Sequence, residues 1–210
     1  MSNLNASYWD SPLYAALSEG WDEYFNFVKS QGFIYEGSTC PGKQIHMSSL
    51  ILNTHAQLVY EIGFNAGHMS FRMCRALQET CGGVLAFDID ETHRPAAEKM
   101  QEIFPGIFLD CIWGDTQITL PAQEGSPDII HIDGGHSKEI ALSDIREARR
   151  LIKPGGFIVI DDCQDTTADG RPCESPVWSA AKEILGEDNL SYFAHDFCYG
   201  DAFSVYRAEK

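Results

Sequence analysis

Residues 129–136 read Ile-Ile-His-Ile-Asp-Gly-Gly-His, and residues 157–162 read Phe-Ile-Val-Ile-Asp-Asp. Each stretch is a short apolar run that ends in carboxylates, which is typical of a buried strand in a parallel sheet. Between them, residues 138–152 carry an apolar stripe at helical spacing, preceded by Ser137 as N-cap and stopped by the Lys-Pro-Gly-Gly of residues 153–156. The two stretches and the helix therefore predict one βαβ unit.

Three carboxylates follow the two predicted strands: Asp133, Asp161 and Asp162. Ligands of open α/β sheets bind just beyond the carboxyl ends of the strands. If the two strands are neighbours, the three side chains converge there and repel one another unless a positive group lies between them. The sequence therefore predicts a hard divalent cation at this edge of the sheet.

The rest of the chain continues the alternation of strand and helix. Further strands are predicted at residues 58–62, 84–88, 108–113, 190–193 and 202–206. This alternation predicts an α/β fold, a Rossmann-like, doubly wound, mostly parallel seven-stranded sheet with helices on both faces. We expect residues 1–45 to form an N-terminal helical cap segment and residues 46–210 to form the α/β domain.

Composition narrows the choice of partners. The formal net charge is -16 and only 15 residues are Lys or Arg, so we expect no nucleic-acid partner and a small molecule instead. The seven cysteines form no CxxC pair, which favours a reducing, cytoplasmic setting. No apolar run approaches the roughly 20 residues that span a bilayer, and no secretory signal is evident, so we expect no membrane partner.

A glycine loop, Glu61-Ile-Gly63-Phe-Asn65-Ala-Gly67, follows the first predicted strand. Glycines there permit a tight turn and a close approach of a ligand to the backbone. The G-x-x-x-G spacing differs from the dinucleotide and P-loop patterns, and a glycine pair alone is a weak signal. The carboxylate of Glu61 suits a ligand that carries an ammonium group.

Two further carboxylates stand at predicted strand ends. Asp88 occupies the position where doubly wound folds bind a ribose through its hydroxyls, although a solvated aspartate would look the same. Asp115 follows Gly114 and could accept a hydrogen bond from an adenine amine, or simply form a turn. Together with the glycine loop, they favour a ligand that contains a nucleoside.

Taken together, the segments EIGFNAG, AFDID, WGD, IHIDGGH and LIKPGGFIVIDD resemble the class I S-adenosylmethionine-dependent methyltransferases. More narrowly, they are similar to the divalent-metal-dependent small-molecule O-methyltransferases of the catechol and macrolide-sugar types. The likeness covers roughly residues 46–165. The two glycines between Asp133 and His136 favour the sugar type over the catechol type.

This resemblance implies a role for each matching residue. The implied cofactor site comprises Glu61, Gly63, Asn65, Gly67, Asp88, Asp115 and Asp133. The implied metal ligands for Mg or another divalent cation are Asp133, Asp161 and Asp162. His136 falls where the family has its general base, although it could instead cap the next helix. Residues 46–210 would then be an S-adenosylmethionine-binding methyltransferase domain.

The chemistry of these residue types agrees with that reading. Magnesium prefers oxygen ligands and keeps open positions for a substrate hydroxyl, whose proton it makes easier to remove. A histidine, with its ordinary pKa of about 6.5, is suited to take that proton. His131, inside a predicted strand, is expected to be a hydrogen-bonded core histidine and not a ligand.

Other functions remain open on the sequence alone. The same fold could transfer the methyl group to nitrogen or carbon, or run another reaction, with the carboxylates purely structural. The chain could also be a non-catalytic S-adenosylmethionine-binding partner of another enzyme, or a nicotinamide-dependent oxidoreductase, which the glycine spacing disfavours. The identity of the acceptor and the existence of a homo-oligomer are likewise left open.

Overall fold

A seven-stranded sheet forms the centre of the molecule. The structure is a computed structural model, which describes residues 12–33, 41–166, 171–195 and 201–209. The strands are β1 Leu58–Ile62, β2 Gly83–Asp88, β3 Phe108–Trp113, β4 Ile129–Ile132, β5 Phe157–Ile160, β6 Leu190–His195 and β7 Asp201–Arg207. The helices are α1 Pro12–Leu17, α2 Trp21–Ser30, α3 Pro41–Thr54, α4 His68–Thr80, α5 Arg94–Ile103, α6 Thr116–Thr119, α7 Lys138–Leu151 and α8 Pro176–Leu185.

The strand order is β3-β2-β1-β4-β5-β7-β6. The first five strands in this order are parallel, whereas β7 runs antiparallel to both β5 and β6. Strand order reverses between β1 and β4, so the crevice above these two strands is the topological switch point where ligands of such sheets bind. The predicted Rossmann-like, mostly parallel seven-stranded sheet is confirmed.

Helices cover both faces of the sheet. Successive residues of each strand point to opposite faces, so the apolar residues of a strand pack against helices on both sides. Val59 and Ile129 pack in one apolar cluster with residues of α2, α3, α4 and α5. Their chain neighbours Tyr60 and Ile130 pack in a second cluster with residues of α7 and α8. Strands β1 and β4 are therefore buried on both sides, which explains why they consist mainly of apolar residues.

The βαβ unit forms as the sequence predicts. The Ser137 hydroxyl accepts a hydrogen bond from the Ile140 amide at 3.3 Å and so caps α7. Ile132 of β4 pairs with Ile160 of β5, which aligns the ends of the two strands. The residues that follow these strands, Asp133 and Asp161, therefore emerge side by side.

The N-terminal helices pack against the methionine-rich face of the core. Tyr24 and Val28 of α2 are buried, and the Tyr24 hydroxyl donates a hydrogen bond to the Ala66 carbonyl at 2.8 Å. Helix α3 runs through residues 45 and 46, so the predicted boundary between a cap segment and the domain falls inside a helix. That division stays a prediction. None of the helices in the described ranges is long and apolar enough to cross a membrane.

Candidate active site

One large pocket opens at the carboxyl ends of the parallel strands, with a volume of about 840 Å³. Nine of the ten residues that the sequence singled out line it: Glu61, Gly63, Asn65, Asp88, Asp115, Asp133, His136, Asp161 and Asp162. Gly67, the tenth, is not part of the lining. The pocket also includes residues that the sequence did not single out, among them Phe33 and Lys43.

The two glycines of the loop after β1 are required for different steric reasons. Gly63 has a φ of 95°, and a Cβ there would lie 1.9 Å from the carbonyl oxygen of Asp133. Gly67 has a φ of 74°, and a Cβ there would lie 2.4 Å from the Tyr24 hydroxyl. The loop can therefore lie flat between the strand ends and α2 only because both positions lack a side chain.

Asp88 anchors the glycine loop to the end of β2. Its Oδ2 accepts a hydrogen bond from the Asn65 amide at 2.6 Å, and its Oδ1 accepts one from the Asp90 amide at 2.8 Å. Asn65 itself has a positive φ of 48°, a conformation that asparagine tolerates better than most residues. Asp115 plays a similar local role, because its side chain caps α6 through the Gln117 amide at 2.9 Å.

Glu61 is the most deeply buried carboxyl group among the predicted cofactor residues, with 1% of its surface exposed. Burial raises the pKa of its carboxyl group to about 8, although the hydrogen bond from the Ser70 hydroxyl acts in the opposite direction. A buried carboxyl group at the wall of a pocket is stabilised as a carboxylate when a cation binds beside it. This environment fits the ammonium group of a bound ligand.

Among the described residues, Asp133, His136 and Asp162 form a group whose side chains could hold a metal ion. One donor atom from each lies within 4.8 Å of the other two, and His136 Nε2 is 2.7 Å from Asp162 Oδ2. The hydrogen bond to Asp162 raises the pKa of His136 above 6.5. Burial, followed by the neighbouring carboxylates Asp161 and Asp162, raises the pKa of Asp133 well above its usual range.

Asp161 faces a different partner. Its carboxylate forms an ion pair with Lys43 of α3, and both side chains are buried, with 3% and 7% exposed respectively. Asp161 Oδ1 also accepts a hydrogen bond from the Asp162 amide at 2.7 Å. The sequence predicts a positive group at this edge of the sheet. For Asp161, the Lys43 ammonium group of the chain itself supplies that charge.

Residues 60–163, about half of the chain, match the profile of a family described as a methyltransferase domain. The chain belongs to this methyltransferase family. With its seven-stranded sheet and the glycine loop after β1, it is a class I S-adenosylmethionine-dependent methyltransferase, and the predicted resemblance is confirmed at that level. A comparison with curated proteins gave no match.

Solved structures share the fold of this methyltransferase at low sequence identity. The S-adenosylhomocysteine-bound methyltransferase PaMTH1 of Podospora anserina is 13% identical with a TM-score of 0.68, over 92% of this chain and 88% of that one. The O-methyltransferase of Bacillus cereus in complex with S-adenosylhomocysteine is 17% identical with a TM-score of 0.66, over 92% and 90%. TomG, an O-methyltransferase of Streptomyces achromogenes involved in tomaymycin synthesis, is 14% identical with a TM-score of 0.62, over 95% and 91%.

The donor set of this methyltransferase fits a divalent cation at one point of the pocket. Two carboxylates and an imidazole, from Asp133, Asp162 and His136, are close enough for a single ion to contact all three. The group differs from the predicted one, in which Asp161 is the third ligand, because Lys43 is bound to that carboxylate. The predicted set of Asp133, Asp161 and Asp162 stays a prediction.

Proposed function

We propose that this methyltransferase transfers a methyl group to a hydroxyl oxygen of a small, natural-product or sugar-like molecule. The observation that carries the proposal is the pairing of His136 with Asp162 beside Asp133, in the same pocket as the glycine loop. S-adenosylmethionine supplies an electrophilic methyl group on a sulfonium, so the protein's task is to align the acceptor and remove its proton. Several proteins with this fold are O-methyltransferases, among them those of Bacillus cereus and Streptomyces achromogenes, which supports the choice of oxygen.

The cofactor would lie along the glycine loop. The buried Glu61 carboxyl group is suited to its ammonium group. Asp88 is suited to its ribose hydroxyls because each carboxylate oxygen accepts one backbone hydrogen bond and has a second lone pair that can accept another. Asp115, at the start of α6, would lie near the adenine. Each of these groups binds and orients the cofactor and takes no part in proton transfer.

His136 is suited to act as the general base. Asp162 accepts a hydrogen bond from Nε2, which orients the imidazole and leaves Nδ1 as the nitrogen that can take a proton. The arrangement matches the general pattern in which a carboxylate holds a histidine in one tautomer. His136 is also the most accessible member of the group, with 70% of its side chain exposed, so an acceptor can reach it.

A divalent cation would be held by the carboxylates of Asp133 and Asp162. When bound, it lowers the pKa of a hydroxyl group that coordinates beside it. A vicinal diol, or another pair of neighbouring oxygens on the acceptor, would suit such a site because it can fill two open positions.

One observation favours a second candidate, methyl transfer without a metal. The ammonium group of Lys43 already neutralises Asp161, which is one of the three predicted metal ligands. In this case His136 and Asp162 alone would remove the proton, and the acceptor would be a group that loses its proton more easily than an aliphatic alcohol.

Turnover of a panel of hydroxylated small molecules, read as formation of S-adenosylhomocysteine, tests the proposal. We expect His136→Ala to lower turnover by about 10²–10⁴-fold, the usual contribution of a general base, with the affinity for S-adenosylmethionine unchanged. His55→Asn, at an exposed histidine outside the pocket, is the matched control. Chelation by EDTA separates the two candidates: loss of activity supports the metal-assisted reaction, and full activity supports the metal-free one. Activity of His136→Ala equal to that of the control would refute the base.

A further inference from the structure

A second cavity, which we call the inner cavity, lies between α3 and the sheet next to the main pocket. Its volume is about 290 Å³, close to the lower end of the range for small-molecule sites, about 300–1,000 Å³. Met47 and Leu50 of α3 line one side, and Val159 of β5 and Val205 of β7 line the other. A helix on one side and a sheet on the other enclose a largely apolar cavity.

Aromatic side chains close one end of the inner cavity. The rings of Phe193 and Phe203 stack with their centroids 4.9 Å apart, and the His46 ring lies 5.8 Å and 5.7 Å from them. Aromatic faces and edges of this kind pack best against another planar ring. The methionine thioethers in the lining adapt to such rings and make favourable sulfur–aromatic contacts.

A buried imidazole without a hydrogen bond lines the same cavity. His131 is 2% exposed, and its Nδ1 has no hydrogen-bond partner among the described residues; Glu61 Oε1 is 4.0 Å away. The sequence predicts a satisfied core histidine here, and that expectation is wrong for Nδ1: the residue is buried, but this nitrogen is not satisfied. Because a buried polar atom without a partner is costly, a ligand group that hydrogen-bonds to the imidazole would be stabilised.

The inner cavity adjoins the proposed reaction site. Lys43, Met69 and Asp161 line both the inner cavity and the main pocket. A molecule that reaches from the inner cavity to Asp133 and His136 would therefore pass the Lys43–Asp161 ion pair.

We infer that the inner cavity binds the ring system of the methyl acceptor, and that this acceptor carries a planar, apolar system of one or two rings with a polar substituent that hydrogen-bonds to His131. The inference rests on the proposed function, since it assigns the ring to the hydroxyl-bearing acceptor. It narrows the acceptor from small molecules in general to flat, hydroxylated ring compounds.

Methyl resonances of the methionines test this inference directly. The chain has five methionines, of which Met47 lines only the inner cavity, Met69 lines both cavities, and Met73 and Met100 line neither. With isotope-labelled methionine methyl groups, we expect 2-naphthol to shift Met47 and Met69 saturably and to leave Met73 and Met100 in place. S-adenosylhomocysteine should shift Met69 but not Met47, and both compounds should bind together.

Four variants sharpen the test. Leu50→Trp fills the cavity and should abolish the shift of Met47, whereas Thr54→Trp, exposed on the same helix and outside the lining, should retain it. If Leu50→Trp fails to fold, Ser49→Phe narrows the cavity from the next position. His131→Phe keeps a ring in place and should weaken 2-naphthol binding by about fivefold, the usual effect of one hydrogen bond.

Several results would overturn the inference: no saturable shift of Met47, a shift that survives in Leu50→Trp, or displacement of 2-naphthol by S-adenosylhomocysteine. If methyl transfer takes place but 2-naphthol does not bind, the inference about the inner cavity is wrong and the proposed function stands. Binding of 2-naphthol with no transfer to any hydroxyl compound refutes the proposed function and, with it, the assignment of the ring to an acceptor.

Discussion

Replacing Lys43 by methionine tests whether the chain supplies its own counter-charge at the strand ends. The substitution keeps the length of the side chain and removes the ammonium group from Asp161. Loss of one partner from a buried ion pair costs about 3–5 kcal/mol, because the other charge stays buried without compensation. Here the Asp162 amide still donates a hydrogen bond to Asp161 at 2.7 Å, so we expect the lower end, about 3 kcal/mol.

In a domain of this size, about 3 kcal/mol corresponds to a decrease in Tm of about 6–12 °C. Urea unfolding and differential scanning fluorimetry both measure the effect. Lys138→Met is the matched control, since Lys138 pairs with Glu183 at 3.0 Å with about half of each side chain exposed, where an ion pair contributes about 0–1 kcal/mol.

The Asp161→Asn change provides the second half of the test. In the Lys43→Met background it removes the uncompensated charge, so we expect the double variant to recover stability relative to Lys43→Met alone. Millimolar Mg²⁺ should likewise raise the Tm of Lys43→Met more than that of the unmodified protein, because all three carboxylates are then available to a cation. The proposed ion pair would be refuted if Lys43→Met were as stable as Lys138→Met and if the effects of Lys43→Met and Asp161→Asn on the free energy of unfolding were additive.

Three further predictions follow from the site. Because the base must be unprotonated, turnover should rise with pH through the raised pKa of His136, with a midpoint above 6.5. In Asp162→Asn the midpoint should fall, because the hydrogen bond that raises the pKa is weakened. An unchanged midpoint in the pH–rate profile of this variant would count against the His136–Asp162 pair. Asp88→Ala should weaken the binding of S-adenosylmethionine, measured by calorimetry, by about tenfold or more. The substitution removes charged hydrogen bonds to the glycine loop as well as the proposed hydrogen-bond acceptor for the ribose. Equal affinity would show that Asp88 does not bind the cofactor. Gly67→Ala should lower the free energy of unfolding by about 1–3 kcal/mol, because of its positive φ and the contact with Tyr24; an equally stable variant would show that the loop can rearrange.

The sheet and most of the site could be predicted because their signals are local. The inner parallel strands β1, β4 and β5 are buried on both faces, so each appears as a short apolar run, and the residue after the run marks the ligand edge. Asp88 and Asp133 were found in this way. The pairing of His136 with Asp162 follows from the same logic, since adjacent parallel strands bring their following residues together.

Lys43 could not be found in this way because it lies 118 residues from its partner in the sequence. One weak signal exists: it is the only Lys or Arg between Lys29 and Arg72, and it stands in a helix of otherwise uncharged residues. The sequence also could not show that the two consecutive aspartates, Asp161 and Asp162, have different partners. Asp162 adopts a left-handed φ of 55°, unusual for a residue other than glycine, and it pairs with His136 while Asp161 pairs with Lys43.

The charges at the strand ends allow the pH–rate profile to show whether a metal ion takes part in the reaction. Asp161 is paired with Lys43 and Asp162 with His136, which leaves Asp133 as the carboxyl group whose pKa is raised by burial and by its acidic neighbours. A divalent cation held by Asp133 and Asp162 would place positive charge beside His136 and oppose its protonation. Under the metal-assisted reaction, added Mg²⁺ should therefore move the midpoint of the pH–rate profile downward, whereas in the metal-free reaction the midpoint should stay where the Asp162 hydrogen bond sets it. A midpoint that rises with Mg²⁺ would contradict both arrangements.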